Sequence, residues 1–441
     1  MDFLVEAGPL RGRVEIPGSK SHTIRAVAIA ALAAGESQIE QPLDSADTRA
    51  AWRAYSAFGA EISEVGTCWR VQGRGGVLQT PDNVIDVANS GTTMRIALGS
   101  AALLPDQSYT VLTGDHQVRR RPCGPLGQAL TDLGAWAAST RANGCPPYMV
   151  RGGLRGGKAR IEAMTSQYIT SLLINAPLAP GDTELEVPLL NEKPYVGITL
   201  DWLARQGLRV DYAPDYSWFW IPGGQQYQPV RRRIPGDFSS ATFFLAAGAM
   251  DGNEVLCAGL DMNDTQGDKA VVGYLEQMGA EITMEAAGVR VRGRGLRGCE
   301  IDMNATPDAL PMMAALACFA EGTTRLVNVP QARMKETDRI AVMRQELSKL
   351  GAKITELPDG LVVEHCKLHP GEVEGHDDHR VVMSLAIAAT QIPGCTAIHG
   401  YEAVNITFPG FAEALRGVGG KARLRGDGHG DHAAAMETLS A

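Results

Sequence analysis

Phe58-Gly59-Ala60-Glu61-Ile62 and Met278-Gly279-Ala280-Glu281-Ile282 are almost the same five residues, written 220 positions apart. In both, an amphipathic stretch suited to a helix ends at the glycine and a strand-like run follows. A glycine placed there accepts the left-handed conformation that caps a helix and lets the chain reverse. Working outward, the phrase returns as Leu133-Gly134-Ala135-Trp136, Gln206-Gly207-Leu208-Arg209-Val210, Leu350-Gly351-Ala352-Lys353-Ile354 and Val418-Gly419-Gly420-Lys421-Ala422. The six glycines are spaced by 75, 73, 72, 72 and 68 residues. One such signal is weak, but six at near-constant spacing describe an internal repeat of one α/β unit.

The halves also match. Ile16-Pro17-Gly18 recurs as Ile234-Pro235-Gly236, 218 residues on, and Val71-Gln72-Gly73-Arg74-Gly75 recurs as Val291-Arg292-Gly293-Arg294-Gly295. The expected fold class is therefore α/β (α+β), with two similar domains of three units each. The first spans 15–232. The second takes a strand-like lead-in, 1–14, together with 233–425, and Arg231-Arg232-Arg233-Ile234-Pro235 is the return crossover. Alanine-rich stretches such as Ala26 to Ala34 suit helices buried inside outer sheets. The polar tail, 426–441, is expected to be flexible; its Asp427, His429, Asp431 and His432 are not read as a functional metal site, because no fold supplies a second shell.

A length of 441 residues exceeds one ordinary core, which also favours two domains. Hydrophobic residues at 44% and charged residues at 21% describe an ordered soluble protein. The formal net charge of −9 opposes nucleic-acid or anionic-membrane partners, so any anion-binding residues must be local. The eight cysteines lie at least 19 residues apart, without a C-x-x-C pair or a leader peptide, which is a reduced, cytoplasmic pattern. Apolar runs such as Ala241 to Met250 are about half of what a membrane span requires.

Arg333-Met334-Lys335-Glu336-Thr337-Asp338-Arg339 packs cations and carboxylates into seven residues. If it opens a helix, Lys335 and Arg339 share one face with Glu336 one step round. A solvated salt-bridge ladder and an anion site are both consistent with it. Gly18-Ser19-Lys20-Ser21-His22-Thr23-Ile24-Arg25 joins a glycine turn to a helix start, where free N–H groups, hydroxyls, an ammonium and a guanidinium gather; a Ser-capped helix with solvated basic residues is the plain alternative. Asn89-Ser90-Gly91-Thr92-Thr93-Met94-Arg95 repeats the arrangement, with a glycine that lets a ligand approach the backbone. Arg119-Arg120-Arg121-Pro122 should turn at least one guanidinium inward to fork an anion. Thr165-Ser166-Gln167-Tyr168 sets two hydroxyls and an amide at another helix start. Asp377-Asp378-His379-Arg380 opens one more helix. His376 and His379 raise a metal site, but the adjacent arginine repels a cation and helix capping explains the aspartates.

In this order and spacing, I-P-G-S-K-S-H-T-I-R, N-S-G-T-T-M-R, G-D-x-x-x-R-x-R-P, T-S-Q-Y, K-P-Y, M-K-E-T-D-R and D-H-R make the chain resemble, over its whole length, the 3-phosphoshikimate 1-carboxyvinyltransferases, or EPSP synthases. The resemblance implies two inside-out domains, each of three βαβαββ units with buried helices, closing over substrates. It implies transfer of the enolpyruvyl group of phosphoenolpyruvate to the 5-hydroxyl of shikimate 3-phosphate with release of phosphate. It further implies that Ser21 and Arg25 clamp the shikimate carboxylate, with Thr165, Ser166 and Tyr195 near its ring and 3-phosphate and Gln167 touching both substrates. Lys20, Asn89, Gly91, Arg121, Arg339 and Arg380 correspond to the phosphoenolpyruvate pocket, Gln331 to an asparagine of the site, and Lys335 to a lysine near the shikimate phosphate. Asp308 corresponds to the acceptor of the hydroxyl proton, while Glu336 and Lys20 are candidates for the methyl-carbon proton. No cofactor and no metal are implied, a monomer suffices, and glyphosate is expected to compete with phosphoenolpyruvate.

Three positions depart from the family pattern. Glu192 stands where many members place a phosphate-binding serine, and repels a phosphate unless Lys193 or Lys335 compensates. Gln331 replaces the asparagine and keeps the amide. Ile406 falls where some members carry a lysine. Other readings are the sister transferase acting on UDP-N-acetylglucosamine, a relative with a different cyclic alcohol as acceptor, and a non-catalytic anion-binding protein. The first lacks its loop cysteine here, where His116 stands. The last leaves Asp308 and Glu336 without a purpose beside an anion.

Overall fold

A computed structural model of the chain describes residues 1–426. The tail expected to be flexible, with its histidines and aspartates, lies beyond Gly426 and so outside the described residues. All six repeat glycines have positive φ, from 70° at Gly207 to 106° at Gly134. They follow the helices Ala46–Ala57, Gly124–Asp132, Lys193–Arg205, Ala270–Gln277, Arg339–Lys349 and Phe411–Gly417. They lead into the strands Glu61–Val65, Trp136–Ser139, Asp211–Tyr212, Glu281–Glu285, Lys353–Leu357 and Lys421–Arg425.

Each unit also contains an earlier helix: Lys20–Leu32, Gly91–Ala102, Gln167–Asn175, Phe238–Ala249, Leu310–Ala317 and His379–Ala389. These are interior helices. Every residue from His22 to Leu32 and from Phe238 to Ala249 is buried, so neither helix has a solvent stripe. The alanine-rich run is helical only to Leu32; Ala33 caps it and Ala34 opens a strand, because Gly35 at φ 110° turns the chain outward. Among the described residues the strands form six four-stranded sheets. Outer strands such as Glu61–Val65 are largely exposed, whereas Cys68–Arg74 alternates, burying Trp69 and Val71. The sheets thus wrap the helices with one face in solvent.

Three sheets are completed by distant segments, and this ties the halves together. Asp2–Glu6 lies between Cys395–His399 and Lys421–Arg425. Arg11–Glu15 runs parallel to Glu254–Ala258 in exact register from Arg11↔Glu254 to Glu15↔Ala258. Arg231–Arg233 runs parallel to Gln38–Glu40 in the sheet of the first unit. The chain therefore crosses twice, at the two Ile-Pro-Gly copies, which lie side by side through an antiparallel bridge between Gly18 and Gly236. A Cβ on either glycine would sit 2.6 Å from a carbonyl oxygen, of Gln41 or of Gly259. Buried apolar residues form two clusters, one from Ile24 to Ile234, the other from Phe3–Ile16 with Phe238–Val418. Among the described residues no helix is long and apolar enough to cross a membrane.

Candidate active site

The repeat places helix N-termini around one cavity between the halves. Lys20 and Ser21 open the helix of the first unit, Gly91 and Thr92 that of the second, and Ser166 and Gln167 that of the third. From the second half, Asp308 lies in the short turn before Leu310–Ala317, and Lys335 and Glu336 precede Arg339–Lys349. Helix starts present free N–H groups and positive dipole ends, so their convergence favours anions before any side chain is counted. The local sequence fixes each start: Ser90 accepts from Thr93 N, Asp338 from Ala341 N at 3.0 Å, and Asp378 from Arg380 N at 2.9 Å.

Arg339 is the hub of the charges, only 1% exposed. Its guanidinium donates to Asp378 Oδ2 at 2.8 Å, Glu336 Oε2 at 2.6 Å and Asp308 Oδ1 at 2.8 Å. Arg380 Nη2 lies 3.0 Å from Asp308 Oδ2, and Lys335 Nζ lies 3.6 Å from Asp308 Oδ1. From the first half, Arg121 Nη1 reaches Glu336 Oε1 at 3.4 Å, and Lys20 Nζ meets Asp47 Oδ2 at 3.3 Å. Burial pushes the Asp308 carboxyl up, but Arg380, Lys335, Arg339 and Lys20 outweigh it and hold it well below the ordinary range. Glu336 is likewise held low by Arg339 and Arg121 against its burial. Burial and then Arg380 depress His379 to about 3, which keeps its imidazole neutral. Asp47, by contrast, is raised by burial, with Lys20 opposing.

A second group of polar residues surrounds Arg25. Arg25, brought down to about 10 by burial, donates to Thr199 Oγ1 at 2.9 Å, Ser21 O at 2.9 Å, Thr170 Oγ1 at 3.1 Å and Tyr195 O at 3.0 Å. The Tyr195 hydroxyl donates to Asp268 Oδ2 at 2.8 Å across the halves. Burial, with Asp308 nearby, pushes Asp268 up to about 7. Glu192 is buried at a left-handed φ of 58° and caps Lys193–Arg205 by position only. Its Oε2 accepts from Thr165 Oγ1 at 3.0 Å, Ser166 Oγ at 2.9 Å and Ser166 N at 3.2 Å, while Oε1 pairs with Lys335.

The model of the family "EPSP synthase (3-phosphoshikimate 1-carboxyvinyltransferase)" matches residues 5–415. The chain is 50% identical over 424 residues to the 3-phosphoshikimate 1-carboxyvinyltransferase of Ruminiclostridium cellulolyticum, covering 96% of this chain and all of that one. The chain belongs to the EPSP synthase family. The enzyme of the same name from Acetivibrio thermocellus is 52% identical over 408 residues, covering 92% of this chain and 96% of that protein. The solved EPSP synthase of Acinetobacter baumannii superposes with a TM-score of 0.80 at 27% identity, covering 96% of this chain and 100% of that one.

Within this EPSP synthase-like frame, Lys20, Ser21, Arg25, Gly91, Arg121, Ser166, Gln167, Tyr195, Asp308, Lys335 and Glu336 line the main cavity. Thr165 and Gln331 line a smaller one beside it, which shares Arg121, Gln167, Glu192 and Lys335. Arg339 and Arg380 stand behind Asp308. Asn89 lines neither; its amide donates to Asp115 Oδ2 at 2.7 Å and to Gln117. The expectation that Lys335 and Arg339 share a helix face is overturned. Asp338 caps the helix, which begins only at Arg339, so Lys335 lies in extended chain. Of the two lysines offered to compensate Glu192, Lys335 does so, while Lys193 is exposed. His376 turns to Glu346, 2.8 Å away, and among the described residues no group of three possible ligands could hold a metal. Sequence reading missed Asp47, Asp268 and Thr92. Asp47 sits in an ordinary Asp-Thr-Arg helix start, and only the neighbouring Lys20 gives it meaning.

Proposed function

We propose that this chain performs the reaction for which its relatives are named, moving the enolpyruvyl group of phosphoenolpyruvate to the 5-hydroxyl of shikimate 3-phosphate. The observation that supports it most is the set of cations from both halves, Lys20 and Arg121 with Lys335, Arg339 and Arg380, gathered round two buried carboxylates, Asp308 and Glu336. The halves 15–232 and 1–14 plus 233–425 act as two domains, and their closure completes the cation set.

In this reading the carboxylate and phosphate of phosphoenolpyruvate take up Lys20, Arg121, Arg339 and Arg380. Ser21 and Arg25 hold the acceptor carboxylate, and Gln167, Tyr195 and Gln331 position the ring. Each substrate anion draws a cation away from Asp308. Its pKa then climbs from its depressed value, so binding itself makes Asp308 a competent base. Asp308 takes the hydroxyl proton as the oxygen attacks C2 of phosphoenolpyruvate. Lys20 and Glu336, the latter protonated once the substrate anions draw Arg339 and Arg121 from it, handle the proton delivered to C3, giving a methyl group and a tetrahedral centre. Elimination breaks the C2–O bond to phosphate, and loss of a methyl proton restores the double bond. The residues require no metal or cofactor for these steps. We assign a cytoplasmic, monomeric enzyme with glyphosate competing for the phosphoenolpyruvate site beside Gly91.

The test is phosphate release from phosphoenolpyruvate with shikimate 3-phosphate or UDP-N-acetylglucosamine. Release with the first alone supports the reading; release only with the second overturns it.

A further inference from the structure

The cradle around Glu192 is suited to a different anion from the one it holds. Two hydroxyls, the Ser166 N–H and the Lys335 ammonium converge at the N-terminus of the helix Gln167–Asn175. A single oxygen, Oε2, accepts three of these donors, although a carboxylate oxygen has two lone pairs. A phosphate would spread the same donors over three terminal oxygens. Glu192 reaches the cradle from a left-handed backbone, a conformation non-glycine residues keep only where their surroundings demand it. Thr165 and Ser166 come from one helix start, Glu192 from the next, and Lys335 from the opposite half. Ser166, Glu192 and Lys335 line the cavity that Asp308 also lines, so the cradle and the base face one bound molecule.

Resting on the enolpyruvyl-transfer reading above, we propose that Glu192 sets how strongly this enzyme prefers a phosphorylated acceptor. Its carboxylate occupies the place of the acceptor phosphate. A phosphorylated acceptor has to displace it from four donors and then lies against a like charge. An acceptor bearing a free hydroxyl there donates to Glu192 instead and leaves the cradle intact. Discrimination in favour of phosphate is thereby lowered in this chain. Lys335 is shared between Glu192 and Asp308, so displacement of Glu192 also reassigns one of the three cations beside the base.

The experiment compares kcat and KM for shikimate 3-phosphate and for shikimate in the wild type, Glu192→Gln and Glu192→Ser. Glu192→Gln keeps size and shape, and it covers the case in which the serine variant folds poorly. Removing the like charge is expected to lower KM for shikimate 3-phosphate by about tenfold or more, with kcat within about threefold. The ratio of kcat/KM for the phosphorylated over the free acceptor is expected to rise by about a hundredfold in Glu192→Ser. Inorganic phosphate, competing with the acceptor, is expected to inhibit Glu192→Gln at about a tenth of the concentration needed for the wild type. An unchanged ratio together with unchanged phosphate inhibition overturns the inference and makes Glu192 a structural cap. Absence of wild-type turnover with either acceptor overturns the functional reading, and the inference with it.

Discussion

The arginine cluster and the Glu192 cradle both set cations against internal carboxylates, but they are assembled differently. Arg339, Asp308, Glu336, Asp378 and Arg380 all come from the second half, and Arg121 and Arg120 reach Glu336 from the first. The cradle instead pairs Glu192 and its hydroxyl donors, from the first half, with Lys335 from the second. The cluster is therefore built mostly within one half, whereas the cradle takes its cation from the other half. A preformed cluster avoids reorganisation when charge develops during reaction. In the proposed reading, a cradle completed across the halves would link acceptor binding to completion of the site.

The sharpest way to break this contrast is to remove the hub. Arg339→Ala leaves Asp308, Glu336 and Asp378 buried around no shared cation, and is expected to cost about 3–5 kcal/mol of stability along with activity. Urea unfolding measures it; a loss under about 1 kcal/mol would mean that the cluster does not depend on its hub. Next in size is Asp308→Asn, which keeps the shape and removes the carboxylate proposed as the base. It is expected to lower kcat by about 10²–10⁴ and, because Arg339, Arg380 and Lys335 lose a counter-charge, to lower the unfolding midpoint as well. Steady-state phosphate release reads it, and a tenfold effect or less would take Asp308 out of the proton transfer.

Gly91 marks the meeting of the cluster with the first half. A Cβ there would fall 2.5 Å from Arg121 Nη1 and 2.7 Å from Arg95 Nη1. Gly91→Ala is expected to push Arg121 aside and raise KM for phosphoenolpyruvate by about tenfold, with a smaller change in KM for the acceptor. Equal changes in both would argue against a donor pocket at that point.

The smallest effect concerns Asp268, which Tyr195 ties to the acceptor side. Its folded pKa of about 7 lies above its ordinary value of 3.8. The folded protein thus holds an extra proton between those values; the favourable contribution is complete below about pH 4 and is lost as pH rises through about 7. Asp268→Asn is expected to match the wild type near pH 4 and to exceed it by about 1–3 kcal/mol at pH 8. Denaturation at the two pH values checks it, and a pH-independent difference would show that the proton plays no part.

Much of this was legible because the repeat is short-range. A glycine with positive φ after a helix is a local requirement, so Gly59 to Gly419 could be read one at a time and then counted. The site residues were legible for a related reason: the first, second, third and fifth units present helix starts to the cavity, so several of the motifs that open helices are the motifs that line it. The failures come from competition and from distance. Lys335 was expected on a helix face, but Asp338 is the stronger cap and delays the helix to Arg339. Asp47 meets Lys20 only after helices pack, so that pairing is not written in any local stretch, whereas Lys335 was one of the two lysines expected to compensate Glu192, 143 residues away, and does so.

The most direct measurement is the mass of the enolpyruvyl product, and of recovered phosphoenolpyruvate, after turnover in D₂O. Addition–elimination passes through a methyl group at C3, so deuterium should appear in the methylene of the product and be strongly reduced in Asp308→Asn and Glu336→Gln at equal time. Product formed at the full wild-type rate with an undeuterated methylene would contradict protonation at C3, and with it the roles given to Glu336, Lys20 and the cluster that holds them.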